Sequence, residues 1–354
     1  MHLFLEPTDI WLFRDGKPFN AGSDHRAQSL FPPHPTVIQG AIRSHELVLK
    51  RIDLQDPAAI AAAVGTSEDY GPLRLRGPIV ARRDGDRVER YYPVPADVQV
   101  QKDGNATQPV DPAPPPDDVV TSIGDELPLL LFPREEAEKE GWGRWLAEKD
   151  LMSVLRGGSA VALEDGCLFQ RESRLGIERD QGTGGTVPER LYQAEFVRPR
   201  KDVGLWVEVQ GYRDWPAAGH MRIGGEGRAA QFWQVSAPQW PGLDLSRPLP
   251  QRFRLYFATP SYFSRGWRPK DWATFFDGPV TLEAVALKGY QTIGGFDWVA
   301  GRQKASRRFV PAGSVYYFTT AGSAQLRSEL INQAVTEWGG EIGFGQVIVV
   351  EWRD

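Results

Sequence analysis

An α+β fold made of two related units is what the sequence predicts, and three observations predict it. The chain has 354 residues, 41% apolar and 25% charged, a globular balance with room for about two domains. β-Prone runs alternate with helix-period segments along its length. A short pattern also occurs twice, as Ile223-Gly224-Gly225-Glu226-Gly227-Arg228 and as Gly339-Gly340-Glu341-Ile342-Gly343-Phe344-Gly345, each before a β-run. Two glycine-rich loops, each feeding a closing strand, suggest two halves of related design.

Taken in order, Leu3 to Phe13 alternates and is rich in β-formers, which predicts a strand ended by Asp15-Gly16. A loop then runs to Phe31-Pro32-Pro33-His34-Pro35-Thr36. Ile38, Ala41, Ile42, His45, Leu49 and Ile52 recur on one face and predict a helix. Asp56-Pro57 supplies a cap and a first-turn proline for a short second helix. Arg83-Asp84-Gly85-Asp86 centres a hairpin over 73–94. Residues 95–128 are acidic and hold Pro109, Pro112, Pro114, Pro115 and Pro116, so a surface insertion or mobile loop is expected, with no core element. Trp142 to Leu155 predicts a helix stopped by Gly157-Gly158. Strands follow near 171–179, 190–197, 203–210 and 228–236, the first two joined by the glycine-rich link 181–186.

Ala237-Pro238 and Pro241-Gly242 punctuate the chain, so the units are expected at 1–240 and 241–354. Arg252 to Phe257 opens the second unit as a strand, and Val280 to Leu287 alternates. Phe296 to Val299 and Ser314 to Phe318 predict strands flanking a basic loop. An amphipathic helix is expected over 324–338, stopped by Gly339-Gly340, before a last strand from Gln346 to Trp352.

Charge and missing motifs narrow the function. The net charge of −5 argues against nucleic acid when read as a sum. Residues 103–140, however, hold ten acids against Arg134 and Lys139, so the rest of the chain is net positive. Thirty-two of the 41 basic residues are arginine. Its planar fork grips phosphate and stacks on bases, although GC-rich coding also enriches arginine. No phosphate-binding P-loop, nucleophile elbow or His-Glu-x-x-His zinc motif occurs, and 181–186 lacks the third glycine of a dinucleotide fingerprint. One cysteine, Cys167, leaves no disulfide or Cys-rich metal site and fits a reducing compartment. No cofactor or metal is expected. The N-terminal residues lack a basic signal-peptide start, and no apolar run approaches the roughly 18 residues of a membrane span, so a cytoplasmic chain without membrane contact is expected.

The basic clusters carry more information. Residues 298–309 hold Arg302, Lys304, Arg307 and Arg308 and no acid, edged by Trp298 and Phe309. Such a segment can track a phosphate backbone, and a solvated hairpin is the plain alternative. Arg171, Arg174 and Arg179 form a second run with compensating acids. Glycine loops such as Gly224-Gly225 let backbone N–H groups approach phosphates, or simply turn tightly before a strand. His25 and His34 are candidate acid–base groups for RNA cleavage, or structural histidines.

Phe13-Arg14-Asp15-Gly16-Lys17-Pro18-Phe19, Leu30 to Arg43, Ile223 to Arg228, Gly294 to Asp297, Pro311 to Phe318 and the C-terminal glycine loop together resemble one family. The chain is similar, over nearly its whole length, to the subunit-three family of the Cmr complex, RAMP proteins of type III-B CRISPR effectors. The resemblance implies two ferredoxin-like (RRM-like) domains with a glycine-rich loop before each last strand. It implies a non-catalytic role, with no catalytic residue, holding the 5′ handle of the CRISPR RNA. It also implies docking to the large polymerase/cyclase subunit and to the backbone RAMP subunit, in antiviral defence. On this resemblance Arg14 and Arg26 flank an RNA-binding loop, and Thr36, Gln39 and Arg43 start the first helix beside it. Arg174, Arg179, Gly224, Gly225, Arg228, Arg302, Lys304, Arg307 and Arg308 complete the expected RNA contacts. The acidic insertion at 95–128 departs from the family pattern. A RAMP endoribonuclease using His25 or His34 is the alternative class, and a sugar- or nucleotide-binding scaffold a third with no feature in its favour.

Overall fold

Strand alternation decides the architecture. In a computed structural model, residues 1–14, 26–101, 105–116, 127–132, 143–179, 182–183, 185–297 and 301–353 are described. The chain opens with β1 (His2–Pro7), helices α1 (Pro35–Leu49) and α2 (Pro57–Val64), then β2 (Arg74–Asp84) and β3 (Arg87–Pro93). Next come β4 (Arg144–Ala147), α3 (Glu148–Leu155), β5 (Leu163–Glu164) and a long hairpin of β6 (Phe169–Arg179) and β7 (Thr186–Pro199). β8 (Val203–Gln210), β9 (Ala218–Arg222) and β10 (Ala229–Gln234) complete an antiparallel sheet in the order β5-β4-β3-β2-β8-β1-β10-β9. β11 (Arg252–Phe257), β12 (Thr281–Ala286), β13 (Gln291–Asp297), β14 (Arg302–Val310), β15 (Val315–Thr319) and β16 (Val347–Glu351) follow. A second antiparallel sheet has the order β12-β15-β11-β16, and β13 and β14 pair in a smaller one. No described helix is long and apolar enough to cross a membrane.

Both sheets are buried on both faces. In β1 and β8, Leu3, Leu5, Leu205 and Val207 join Ile38 and Ile42 of α1 in one core. The intervening residues Phe4 and Trp206 point the other way, into a core shared with Tyr256, Val315, Tyr317 and Val350 of the second sheet. Phe253, Leu255, Phe257, Tyr316 and Phe318 fill a third core on that sheet's far side. Each fully buried large apolar side chain contributes about 1.5–3 kcal/mol, so this layering supplies most of the driving force. Polar ties join the layers: Tyr256 O–H donates to the Pro93 carbonyl (2.6 Å) and Trp240 Nε1–H to that of Val347 (2.9 Å). The guanidinium groups of Arg76 and Arg90 lie 4.9 and 5.3 Å from the Trp240 ring centre.

The α+β expectation holds in its coarse form, as a strand-rich chain of antiparallel sheets. The repeated glycine pattern has a structural counterpart. The strand after the first loop, β10, pairs antiparallel with β1, and the strand after the second, β16, pairs antiparallel with β11. Gly224 has φ of 81°, and a Cβ there would lie 2.6 Å from the Leu12 carbonyl oxygen, so only glycine fits.

Five local expectations are corrected. Leu3 to Phe13 is not one strand, because β1 ends at Pro7 and only Trp11 bridges onward, to Val197. The insertion at 95–128 does reach the core: Asp97, Val98 and Val100 are buried, and Val98–Val100 pairs with Asn105–Pro109, while Ala113 to Pro116 is exposed. The helix expected from Trp142 begins at Glu148, because Arg144–Ala147 is drawn into the large sheet between β3 and β5. The segment expected as a basic loop is itself a strand, β14, paired along β13. The helix expected over 324–338 does not form. Gln325–Leu326 pairs with Phe276–Asp277, Asn332 and Gln333 take φ of 55° and 56°, and Val335 is held by Gly345 and Ser261. Non-local hydrogen bonds there override a helical periodicity.

Candidate nucleic-acid interface

The first glycine loop is pinned to the segment after β1. Gly225 N–H donates to the Leu12 carbonyl (2.8 Å), and Ile223 N–H to that of Arg228 (2.9 Å). The same segment bonds to β7 through Trp11 and Val197, and Arg14 bridges to Ser29. Arg26–Ala27 pairs in parallel with Gln193–Ala194 of β7. The structure thus gathers Arg14, the Arg26 backbone, Arg174, Gly224, Gly225 and Arg228 around one end of β7. The side chains of Arg26 and Arg179, and all of His25, lie outside the described residues.

Phe196 centres this cluster. It is buried with Ile10, Leu12 and Ala194, and the guanidinium groups of Arg174 and Arg228 stand 5.4 and 4.9 Å from its ring centre. Glu172 bridges Arg174 (2.6 Å) and Arg198 (2.8 Å), and Arg198 also reaches Asp9 (2.9 Å). Hydrogen bonds from Arg198 and then Arg174 hold the Glu172 carboxyl below its ordinary range. Arg228 lies 3.6 Å from Glu226. An incoming phosphate therefore competes with carboxylates here, for arginines already oriented by a buried ring.

The β13–β14 hairpin is built differently. Arg302 to Arg308 is exposed at every residue. Asp297 pairs with Arg302, Gly295 with Lys304 and Ile293 with Arg307, a register that needs one extra residue in β14. That bulge changes the alternation. Arg302, Lys304 and Arg307 share one face, whereas Arg308, opposite Thr292, is on the other. The Arg307 guanidinium sits 5.1 Å from the ring centres of both Tyr262 and Trp338. That of Arg308 sits 4.6 Å from Tyr290.

Thr36, Gln39 and Arg43 are linked by hydrogen bonds within α1 and to the turn after α2. Gln39 Nε2 donates to the Thr36 carbonyl (3.0 Å), and Arg43 donates to Gln39 Oε1 (3.2 Å) and to the Thr66 carbonyl (2.7 Å). Burial pulls the Arg43 pKa down from its ordinary value. Lys304 Nζ reaches the Ser67 carbonyl (3.5 Å), so the 66–70 turn is held from α1 and from the hairpin. The described contacts thus place these three beside the hairpin rather than in the Phe196 cluster.

His34 and His45 are built into the packing around α1. Burial pushes the His34 pKa down to about 4, leaving it neutral at physiological pH, and it caps α1 from the main chain alone. His45 packs edge-on against Trp215 and Phe232. Among the described residues no group of three His, Cys, Asp or Glu could hold a metal. Sequence reasoning missed Phe196, Arg198, Tyr290 and Trp338. Only the alternation Ala194, Phe196, Arg198 signals that these share a face, and it does not say which arginines cross from β6.

The family model for a CRISPR-associated protein (Cas_Cmr3) matches residues 3–352. No curated protein matches the sequence. A chain of the cryo-EM structure of the type III-B Cmr-beta bound to cognate target RNA and AMPPnP, state 1, is 15% identical. The match covers 99% of each chain with a TM-score of 0.50. A chain of the cryo-EM structure of type III-B Cmr-beta bound to cognate target RNA is 14% identical, covering 90% of this chain and 86% of that one, with a TM-score of 0.48. A chain of the crystal structure of the Csm3-Csm4 subcomplex in the type III-A CRISPR-Cas interference complex is 11% identical, covering 92% and 98%, with a TM-score of 0.36.

Proposed function

The chain belongs to the Cas_Cmr3 family of CRISPR-associated proteins, and from that premise we propose that it is a non-catalytic, RNA-holding subunit of a type III-B Cmr effector complex. In this reading it grips the 5′ handle of the CRISPR RNA and docks the large polymerase/cyclase subunit and the backbone RAMP subunit. Residues 1–240 and 241–354 act as its two ferredoxin-like units. The observation that carries the reading is β14, where four cations and no acid stand exposed over Arg302 to Arg308. Arginines along such a strand suit a flexible, single-stranded phosphate backbone. The Phe196 cluster, with Arg14, Arg174 and Arg228 beside Gly224-Gly225, supplies the second contact region, joined by Arg26 beside β7 and by Arg179 at the other end of β6. Thr36, Gln39 and Arg43 set the first helix beside the hairpin.

A non-catalytic role agrees with a half-buried His34 held neutral by desolvation. The purified chain incubated with repeat RNA is expected to leave it uncut, and His34→Ala and His25→Ala are expected to change nothing in that assay. Metal-independent cutting at one defined position, lost in either variant, would instead assign the chain to RNA processing.

A further inference from the structure

Resting on the RNA-holding reading, we propose that Tyr290 is a stacking platform for one unpaired nucleobase, with Arg308 fixing the ring from its other side. Tyr290 is 60% exposed, which is unusual for a ring of its size outside an interface. It directly precedes β13, after a turn in which Gly289 takes φ of 77°. Gln291 pairs with Phe309 and Thr292 with Arg308. Alternation therefore puts Tyr290 on the face of Thr292 and Arg308, away from Arg302, Lys304 and Arg307.

The Arg308 guanidinium lies 4.6 Å from the Tyr290 ring centre, so a cation covers one π-face of a side chain that stays 60% exposed. A ring held this way loses little freedom when a second flat group stacks on it. The surroundings select the class of ligand. Thr292, Ser306 and Arg308 beside it are exposed and polar, so the described side chains here do not make the apolar core of a protein interface. Positive charge beside an open aromatic face is the arrangement that takes bases of single-stranded nucleic acid. β13 is the outer strand of its small sheet. A strand tracked by three cations on one face can pass this edge and lay a base on the other.

The test uses the assembled complex with fluorescein-labelled repeat RNA, titrated over a range of salt. Parent, Tyr290→Ala, Tyr290→Phe and the triple variant Arg302→Ala/Lys304→Ala/Arg307→Ala are compared. Tyr290→Ala is expected to weaken binding about 5- to 100-fold at every salt concentration with no change in salt slope, and Tyr290→Phe to bind like the parent. Parental affinity in Tyr290→Ala, while the triple variant flattens the slope, would overturn the platform and keep the RNA-holding reading. No change in any variant would remove RNA from this hairpin altogether. Loss of a protein subunit from the Tyr290→Ala complex, with RNA affinity intact, would overturn the proposal in favour of a protein contact.

Discussion

Arg254→Ala is expected to destabilise the folded chain by about 3–5 kcal/mol, because it leaves a buried carboxylate without its counter-charge. Arg254 is on β11, and its Nη1 lies 3.4 Å from Oδ2 of Asp97, itself fully enclosed. Tyr317 O–H donates to the same oxygen (2.6 Å), and Arg254 Nη2 donates to the Leu155 carbonyl. These bonds tie the 95–100 segment and the end of α3 to the second sheet. Burial raises the Asp97 pKa, and the nearby Arg254 only partly offsets it. A carboxyl raised above its unfolded value favours folding at low pH, and that contribution is lost as pH rises through the folded value. Removing the guanidinium raises it further, and Tyr317, Tyr256 and the Lys288 ammonium remain coupled to Asp97. The loss from Arg254→Ala should therefore be smaller at about pH 5 than at about pH 8, and Asp97→Asn in that background should recover part of it. Urea unfolding of the parent, Arg254→Ala and the double variant at both pH values measures this. An equal loss at both would mean that the carboxylate does not carry the effect.

Replacing Arg302, Lys304 and Arg307 together by alanine is expected to flatten the salt dependence of RNA binding by roughly 2 in log–log slope. Each phosphate contact on a single strand contributes about 0.7 through counterion release. The bulge in β14 aligns these three side chains on one face. Adding Arg308→Ala should weaken binding with little further change in slope, because that side chain is engaged with Tyr290. The comparison needs the assembled complex, with affinity measured at several salt concentrations. A slope equal to the parent's would show that this face does not follow the RNA backbone, and the contacts would then rest on Arg14, Arg174 and Arg228.

What the sequence reveals is what local chemistry decides. The face of Ile38, Ala41 and Ile42 specifies α1, Asp56 caps α2 by accepting from Ala58 and Ala59 N–H, and the glycine pattern marks two loops that each enter a strand. Pairing partners distant in sequence decide the rest. The stretch 324–338 has a helical period, yet its hydrogen bonds go to Gly345, Tyr262 and Ser261. The cations of β14 follow one another in sequence, but their division between two faces depends on an extra residue that appears only once β13 is laid alongside. Phe196 reads as an ordinary β-residue, and its two arginines arrive from β6 and from the loop before β10. The acidic insertion looks detached by composition, whereas Asp97 is anchored by an arginine 157 residues away.

Photocrosslinking reads contacts between this chain and the RNA handle residue by residue. Complexes carrying this chain would be assembled on repeat-derived RNA with 4-thiouridine placed through the 5′ handle, irradiated, and the crosslinked peptides identified by mass spectrometry. Crosslinks are expected from the handle to the segments around Arg14, Gly224–Arg228 and Tyr290–Arg308. Crosslinks confined to other subunits, or to this chain only at positions far from those segments, would contradict the RNA-holding reading.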